Sequence, residues 1–363
     1  MDNIKNKLRN FSVIDIETIN IGGRQIPVLL SHYNPVTGSK LFVVNYNYLK
    51  NSEYEKAIKS LFTKYFKFLI KSKISLVFAH NLGGFDGYFI FKYLFLTSSS
   101  FADPKLIKVM IDESNKFIKI TQTSEYKRHG VIHTEEMFTF KDSMRLLGGM
   151  SLNNLCKIYG VEAKLCSYKQ IWNSLDLFKD ENKDSYLEWK LYAEQDSKSL
   201  YEAVNKAQEV YRDRLKVDVT NSVSASQLAF KLFTSKYCPI KLPNIKRADD
   251  DFLRRAYFGG AVDYYKASFV RGINKLFHYD VVSLYPYAML KSMPISIIER
   301  IDKLTTLYNF FGFVECEVSC KADRVKVPVL PHRINNKNVY GHGTWSGVYF
   351  SEEIRACLKL GYE

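Results

Sequence analysis

Three short stretches carry side chains suited to chemistry on a phosphodiester. Within residues 11–18 an apolar run is broken by Asp15 and Glu17. In a β-strand alternate side chains share a face, so the two carboxylates point one way while Ile14 and Ile16 point the other. Acids on a strand otherwise fit for burial need a cation or several hydrogen bonds to offset their desolvation. Residues 80–86 read His-Asn-Leu-Gly-Gly-Phe-Asp. The glycines permit a tight turn after a short apolar strand, and Asp86 stands where an apolar helix begins. Tyr192 and Asp196 are four residues apart in a helical pattern, hence on one face, a turn apart.

Taken singly, each stretch has a plain explanation: an acidic edge strand, a helix N-cap, a solvated Tyr/Asp pair. As an ordered set they bring four carboxylates and a phenol from three separate elements. Four acids can hold two divalent cations about 3.5–4 Å apart, which activate a water and stabilise the leaving oxygen of an in-line phosphodiester displacement. Oxygen-only ligation favours Mg²⁺ or Mn²⁺ over zinc. Tyr192 is placed to orient the attacking water.

The elements that must position these residues follow from periodicity. Turns at 22–24 and 35–39 fold the opening into three antiparallel strands, and residues 53–72 place Ile58, Leu61, Phe62, Tyr65, Phe66 and Leu69 at helical spacing. Residues 74–79 form a short buried strand ending in the glycine loop. Residues 106–121 and 131–140 form a hairpin leading to Lys141-Asp142-Ser143; His129, His133, Glu135 and Glu136 around its turn read as solvated residues rather than a metal cluster. Ser151 caps a helix to Tyr159, and Ser185-x-x-Glu188 is a capping box opening a helix to about Val217.

At 363 residues the chain has material for two domains, and its formal net charge of +14 points to a polyanionic partner, nucleic acid before membrane. No run approaches the roughly eighteen apolar residues that span a bilayer, and the N-terminus lacks a signal-peptide core. The six cysteines have neither CxxC pairing nor zinc-finger spacing and read as reduced thiols. Composition shifts after Val217 to Ser, Asn, Pro and basic runs. The expected division is therefore a first domain over 1–216, a connecting segment over 217–255 and a second domain over 256–363.

Across the start of that second domain, Arg254-Arg255-Ala256-Tyr257-Phe258-Gly259-Gly260 is basic, aromatic and glycine-bearing, suited to close contact with a phosphate backbone. Residues 278–289, His-Tyr-Asp-Val-Val-Ser-Leu-Tyr-Pro-Tyr-Ala-Met, read as a strand up to Val282 with Asp280 at its end, then as a helix around Pro286.

The ordered set resembles the three exonuclease motifs of family B DNA polymerases. The 80–86 segment is most similar to the protein-primed branch of small phages and of linear plasmids in fungal and plant mitochondria. Tyr257-Phe258-Gly259-Gly260 resembles that branch's Tyr-x-Gly-Gly element, and Asp280-Val281-Val282-Ser283-Leu284-Tyr285-Pro286 its first polymerase motif. The resemblance implies an α/β, ribonuclease-H-like 3′-5′ exonuclease domain followed by the incomplete α+β start of a polymerase palm.

It further implies that Asp15, Glu17, Asp86 and Asp196 ligate the exonuclease metals and that Tyr192 positions the nucleophile. Asn81 and Phe85 would contact the 3′ end of DNA and Ser143 single-stranded DNA, although Met144 follows it where the family has leucine. A family lysine corresponds to Lys164 or Lys169. Tyr257, Gly259 and Gly260 would contact template DNA, Asp280 would bind the polymerase metals, and Tyr285 would stack beneath the incoming sugar and exclude a 2′-hydroxyl.

The implied partners are a single-stranded 3′ end, primer-template DNA, deoxynucleotides where a complete palm exists, and a terminal priming protein, without a membrane. The implied location is the mitochondrion, as a product of the organelle or its plasmid. Neither a Lys-x-x-x-Asn-Ser-x-Tyr-Gly motif nor a Tyr-x-Asp-Thr-Asp-Ser motif occurs in these residues, so exonuclease chemistry without extension is the expectation. A free-standing 3′-5′ exonuclease and a catalytically silent DNA-binding remnant stay open as alternatives.

Overall fold

Glycine at the first turn decides how the chain begins. In the computed structural model, which describes residues 9–163, 165–262, 268, 270, 272, 273, 275–335 and 337–363, Gly22 and Gly23 both adopt positive φ (57° and 80°). They join strand β1 (Ser12–Ile21) antiparallel to β2 (Arg24–Asn34), which pairs antiparallel with β3 (Gly38–Val43). Helices α1 (Tyr46–Lys50) and α2 (Tyr54–Lys71) follow, then β4 (Leu76–Ala79), α3 (Asp86–Thr97), β5 (Ile107–Ile111), β6 (Phe117–Arg128) and β7 (Val131–Asp142). Short α4 (Ser143–Leu146), α5 (Leu152–Tyr159), the 33-residue α6 (Lys183–Leu215) and α7 (Ala225–Leu232) continue the chain.

The strands form one mixed sheet in the order β3-β2-β1-β4-β7-β6-β5, with β4 parallel to both β1 and β7 and the other pairs antiparallel. Strand alternation sends neighbouring residues to opposite cores. Ile14, Ile16, Val77 and Ala79 pack with the buried stripe of α2, Ile58, Leu61, Phe62, Tyr65, Phe66 and Leu69. Val13, Leu76 and Phe78 pack on the other face with Leu200, Ala203, Val204 and Ala207 of α6. Each large apolar side chain so buried contributes roughly 1.5–3 kcal/mol. Up to the register shift after Glu17, the odd positions of β1, Asp15 and Glu17 among them, share the face of Val13, which is the α6 face; beyond it Ile19 joins the α2-side core.

Helix α6 begins two residues before the capping box expected from Ser185 and Glu188, with no side-chain cap. The Glu188 carboxylate is drawn away by Lys169 Nζ at 2.5 Å. Short 3₁₀ turns over Leu175–Phe178 and Asp180–Asn182 lead the backbone into the helix instead. Ser151 caps α5 as expected, accepting from the Asn154 amide, and Gly160 ends it in the left-handed region. The outer half of the β6–β7 hairpin is exposed, with Tyr126 stacked on His133 at 5.4 Å, so its acids and histidines form a solvated hairpin.

The chain divides into two compact units, Met1–Pro239 and Ile240–Glu363. The border falls inside the expected connecting segment, because residues 217–239 are tied to the first unit. Leu228 of α7 enters the α6-side core, and the buried Lys141 ammonium donates to Thr220 O (2.7 Å) and Ser222 O (3.4 Å).

The second unit is α+β. It contains α8 (Arg247–Arg255), α9 (Leu284–Met289), β8 (Phe313–Cys320), the β9 (His332–Ile334) and β10 (Lys337–Val339) hairpin, β11 (Gly343–Phe350) and α10 (Ser351–Lys359). β8 and β11 pair antiparallel along their whole length over a core of Val318, Cys320, Val325, Leu330, Tyr349, Cys357 and Tyr362. The strand expected up to Val282 does not form. A strand exists only by pairing, and among the described residues no segment pairs with 278–282. Helix α9 does form around Pro286, so Asp280 precedes a helix on exposed, irregular backbone.

Candidate active site

The carboxyl ends of the parallel strands β4 and β7 lie side by side, at Ala79 and Asp142, and β1 passes them just before Asp15, as open α/β sheets place their ligand crevices at strand carboxyl ends. β1 supplies Asp15 and Glu17; the strand is paired on both sides, and its register with β2 shifts between Glu17 and Thr18. Such irregularities re-aim side chains beside sites. Glu17 is buried and Asp15 partly so.

β4 ends at Ala79 and releases the 80–86 loop. Asn81 takes the left-handed conformation (φ 65°), which asparagine tolerates, and its carbonyl accepts from Gly84 N (2.9 Å) and Phe85 N (3.3 Å). Gly84 lies so close to the Asn81 amide that a Cβ there would stand 2.4 Å from Oδ1. Gly87 N donates to Leu82 O at 2.8 Å, which starts α3 directly after the loop. Asp86 is the first residue of that helix, 4% exposed rather than a solvated cap. Phe85, 38% exposed, packs edge-on against Phe89 at 5.2 Å and presents a ring at the loop surface.

Burial pushes the Asp86 carboxyl well above the ordinary carboxylate range, and Asp15 pushes it further, with Glu17 and Asp142 acting the same way. From α6, the Tyr192 phenol is raised by burial first and then by Asp196, to which it is hydrogen-bonded, with Glu17 and Asp15 contributing. Asp15, Glu17, Asp86, Tyr192 and Asp196 thus come within electrostatic reach of one another from three elements. Among the described residues no three metal-ligating side chains are already drawn into a cluster. A buried carboxylate facing two others in a low-dielectric site is destabilised unless a cation joins it, and the donors are all oxygen; the four acids fit Mg²⁺ or Mn²⁺.

Several neighbours were not legible as site residues. Tyr168 is raised to about 12 by burial and by Glu17. Trp172 packs on Tyr192 at 5.1 Å. Asp142, at the end of β7, accepts from the amides of Asn81, Gly83 and Met144. No local pattern marks them, since each acts across the sheet or from a loop without regular periodicity.

Ser143 is fully buried; its hydroxyl donates to Ala79 O (3.1 Å) and lies 3.0 Å from His80 Nδ1. His80 Nε2 donates to Met150 O at 2.9 Å, since a carbonyl can only accept. Burial holds the ring below its ordinary pKa, and with the hydrogen on Nε2 the Nδ1 lone pair competes with Ala79 O for the single Ser143 hydroxyl hydrogen. Lys169 is directed to Glu188 and to the Trp172 ring at 5.8 Å; Lys164 lies outside the described residues.

Tyr257, Gly259, Gly260, Asp280 and Tyr285 belong to the second unit and are exposed. Gly260 and Tyr285 are neighbours there, a Cβ on the glycine standing 3.2 Å from the tyrosine hydroxyl. Phe258 stacks on Tyr349 at 5.7 Å and anchors the Tyr-x-Gly-Gly segment to the unit's core.

A family model described as DNA polymerase type B, organellar and viral, matches residues 164–363. A probable DNA polymerase of Ascobolus immersus is 29% identical, aligned over 99% of this chain and 31% of its own length. One of Neurospora intermedia is 28% identical over 79% of this chain and 33% of its own. The chain spans about a third of the length of these curated relatives. Among solved structures, phi29 DNA polymerase complexed with primer-template DNA and incoming nucleotide superposes with a TM-score of 0.63 at 15% identity, covering 99% of this chain and 59% of that one. Its orthorhombic crystal form gives 0.59 at 14% identity, over 98% and 59%. Among the described residues no helix is long and apolar enough to cross a membrane. With its ribonuclease-H-like sheet, its α+β second unit and more than half its length matched by the family model, the chain belongs to the organellar and viral type B DNA polymerases.

Proposed function

We propose that residues 1–239 are a two-metal 3′-5′ DNA exonuclease, the proofreading half of a polymerase that replicates a linear plasmid or organellar element in mitochondria. The observation that carries this reading is the buried Asp86 facing Asp15 and Glu17 while Tyr192 is hydrogen-bonded to Asp196. Mg²⁺ or Mn²⁺ bound by Asp15, Glu17, Asp86 and Asp196 would supply an activated water and charge stabilisation at the leaving oxygen. Tyr192 stays protonated, gives its hydrogen to Asp196, and keeps its oxygen lone pairs to accept from and orient the attacking water. Asn81 and Phe85 hold the terminal nucleotides, the ring of Phe85 by stacking. In the second unit Tyr257, Gly259 and Gly260 would contact template DNA, Asp280 would hold a polymerase metal and Tyr285 would lie under the sugar of an incoming deoxynucleotide. A terminal protein primes the complete polymerase.

The test is the 363-residue chain on an end-labelled primer-template with Mg²⁺, with and without deoxynucleotides, beside an Asp15→Ala/Asp86→Ala control. The expected result is shortening that the control and a chelator abolish, with no extension. Primer extension would show that polymerase chemistry needs less than the full motif set. An unchanged primer that is nevertheless bound would leave a DNA-binding remnant as the better account.

A further inference from the structure

We propose that Asp142 is a positioning residue for the exonuclease, a clamp at the end of β7 that fixes the 80–86 loop and through it Asn81 and Asp86; this rests on the exonuclease reading above. Asp142 pairs with Ala79 in the parallel β4–β7 ladder, so it stands beside the point where the chain leaves β4. The residue is 2% exposed, and its carboxylate is met by three backbone amides. Oδ1 accepts from Asn81 N at 3.1 Å and Met144 N at 2.9 Å, and Oδ2 accepts from Gly83 N at 3.2 Å.

Hydrogen bonds from amides to an ionised carboxylate are about twice as strong as neutral ones, and a buried carboxylate needs them. Two of the three donors come from the loop, one from the left-handed Asn81. The next residue, Ser143, adds the His80 contact. The end of β7 and the first residue of α4 therefore grip His80, Asn81 and Gly83. The grip reaches Asp86 through the loop's own bonds, Phe85 N to Asn81 O and Gly87 N to Leu82 O. The Gly83 side of the loop has no slack, because a Cβ there would stand 2.6 Å from Phe117 O.

Asp142 also caps α4, and the two roles separate by side-chain length. In Asp142→Ser the hydroxyl can still accept from Met144 N but cannot span to Asn81 and Gly83. In Asp142→Asn the volume is kept, and an NH₂ group faces the Gly83 amide in place of Oδ2. The experiment combines amide hydrogen exchange with steady-state removal of 3′ nucleotides from single-stranded DNA by the full chain.

For Asp142→Ser the expected result is exchange about tenfold faster at Asn81 and Gly83 but not across α2 or α6. In the same variant kcat falls about tenfold or more while KM rises less. Asp142→Asn should fall between it and the wild type. A purely structural role would instead speed exchange throughout the sheet, with loss of melting temperature. Unchanged exchange at Asn81 and Gly83, or fast exchange there with kcat within about twofold of wild type, overturns the proposal. Should Asp142→Ser not fold, the isosteric Asp142→Asn carries the same two measurements. Failure of the exonuclease reading is seen separately, as no nucleotide removal by the wild type; the exchange measurement then still supports or overturns the clamp.

Discussion

Tyr192 and Asp196, one turn apart on α6, share a hydrogen bond between phenol and carboxylate. The pair faces the strand that carries Asp15 and Glu17, and Trp172 and Tyr168 wall the ring at 5.1 and 6.3 Å. The phenol is fixed by packing on its flanks and by Asp196 at its tip.

Tyr192→Phe keeps that packing and removes only the hydroxyl. Single-turnover shortening of a labelled strand should slow by about 10²-fold, the cost of a mispositioned nucleophile, with the melting temperature nearly unchanged. Affinity for a single-stranded 3′ end, measured by anisotropy, should hold within about twofold, because in the proposed mechanism the hydroxyl acts on water rather than on DNA.

Gly84→Ala tests the packing under Asn81. The new methyl would stand 2.4 Å from Asn81 Oδ1, so the amide must swing out. Overpacking of this kind costs about 1–3 kcal/mol where the neighbour is fixed and less where a side chain can move. Anisotropy should show weakened binding of a single-stranded 3′ end, while urea unfolding shifts little. Intact binding would remove Asn81 from the DNA-contact set.

His32 makes the first unit sensitive to acid. It is fully buried on β2, 3.3 Å from the Tyr65 hydroxyl and edge-on to Phe68, and burial lowers its pKa to about 4. Unfolded, the imidazole takes a proton near its ordinary pKa of about 6.5. Between those values the unfolded state holds more protons, so stability falls as pH drops from about 6.5 toward 4, by up to roughly 3 kcal/mol. Urea midpoints at pH 7.5 and pH 5 should differ in the wild type, and the difference should shrink in His32→Gln. An equal difference in both would assign the acid sensitivity elsewhere.

Lys141→Met should loosen residues 219–222. The residue is 6% exposed; its ammonium satisfies the carbonyls of Thr220 and Ser222, and methionine fills its volume without a donor. Leaving buried carbonyls unmet costs about 1–3 kcal/mol. Limited proteolysis should cut the variant near 219–222 faster than the wild type, with the 80–86 loop still protected. Unchanged cleavage would mean that Leu228 and α7 alone hold the segment.

Local chemistry sufficed for much of the first unit. Apolar spacing over 53–72 specifies α2 to within a residue at each end, Ser151 and Gly160 bracket α5, and Gly22-Gly23 folds the opening hairpin. These signals are short-range: a cap, a turn and a stripe act within a few residues of themselves. The same range contains Asp15-x-Glu17, the 80–86 segment and Tyr192-x-x-x-Asp196, so the candidate site was legible as three fragments.

The tertiary structure decided what the fragments meet. Parallel pairing of β4 with β1 and β7 brings the loop beside Asp15 and delivers Asp142 to its amides, a contact across 61 positions from Asn81 that no window of sequence contains. It turned the Ser143 hydroxyl inward to Ala79 and His80, and it moved the start of α6 by giving Glu188 to Lys169. It left 278–282 without a strand, because alternation prepares a segment for pairing but only a neighbouring strand completes its hydrogen bonds.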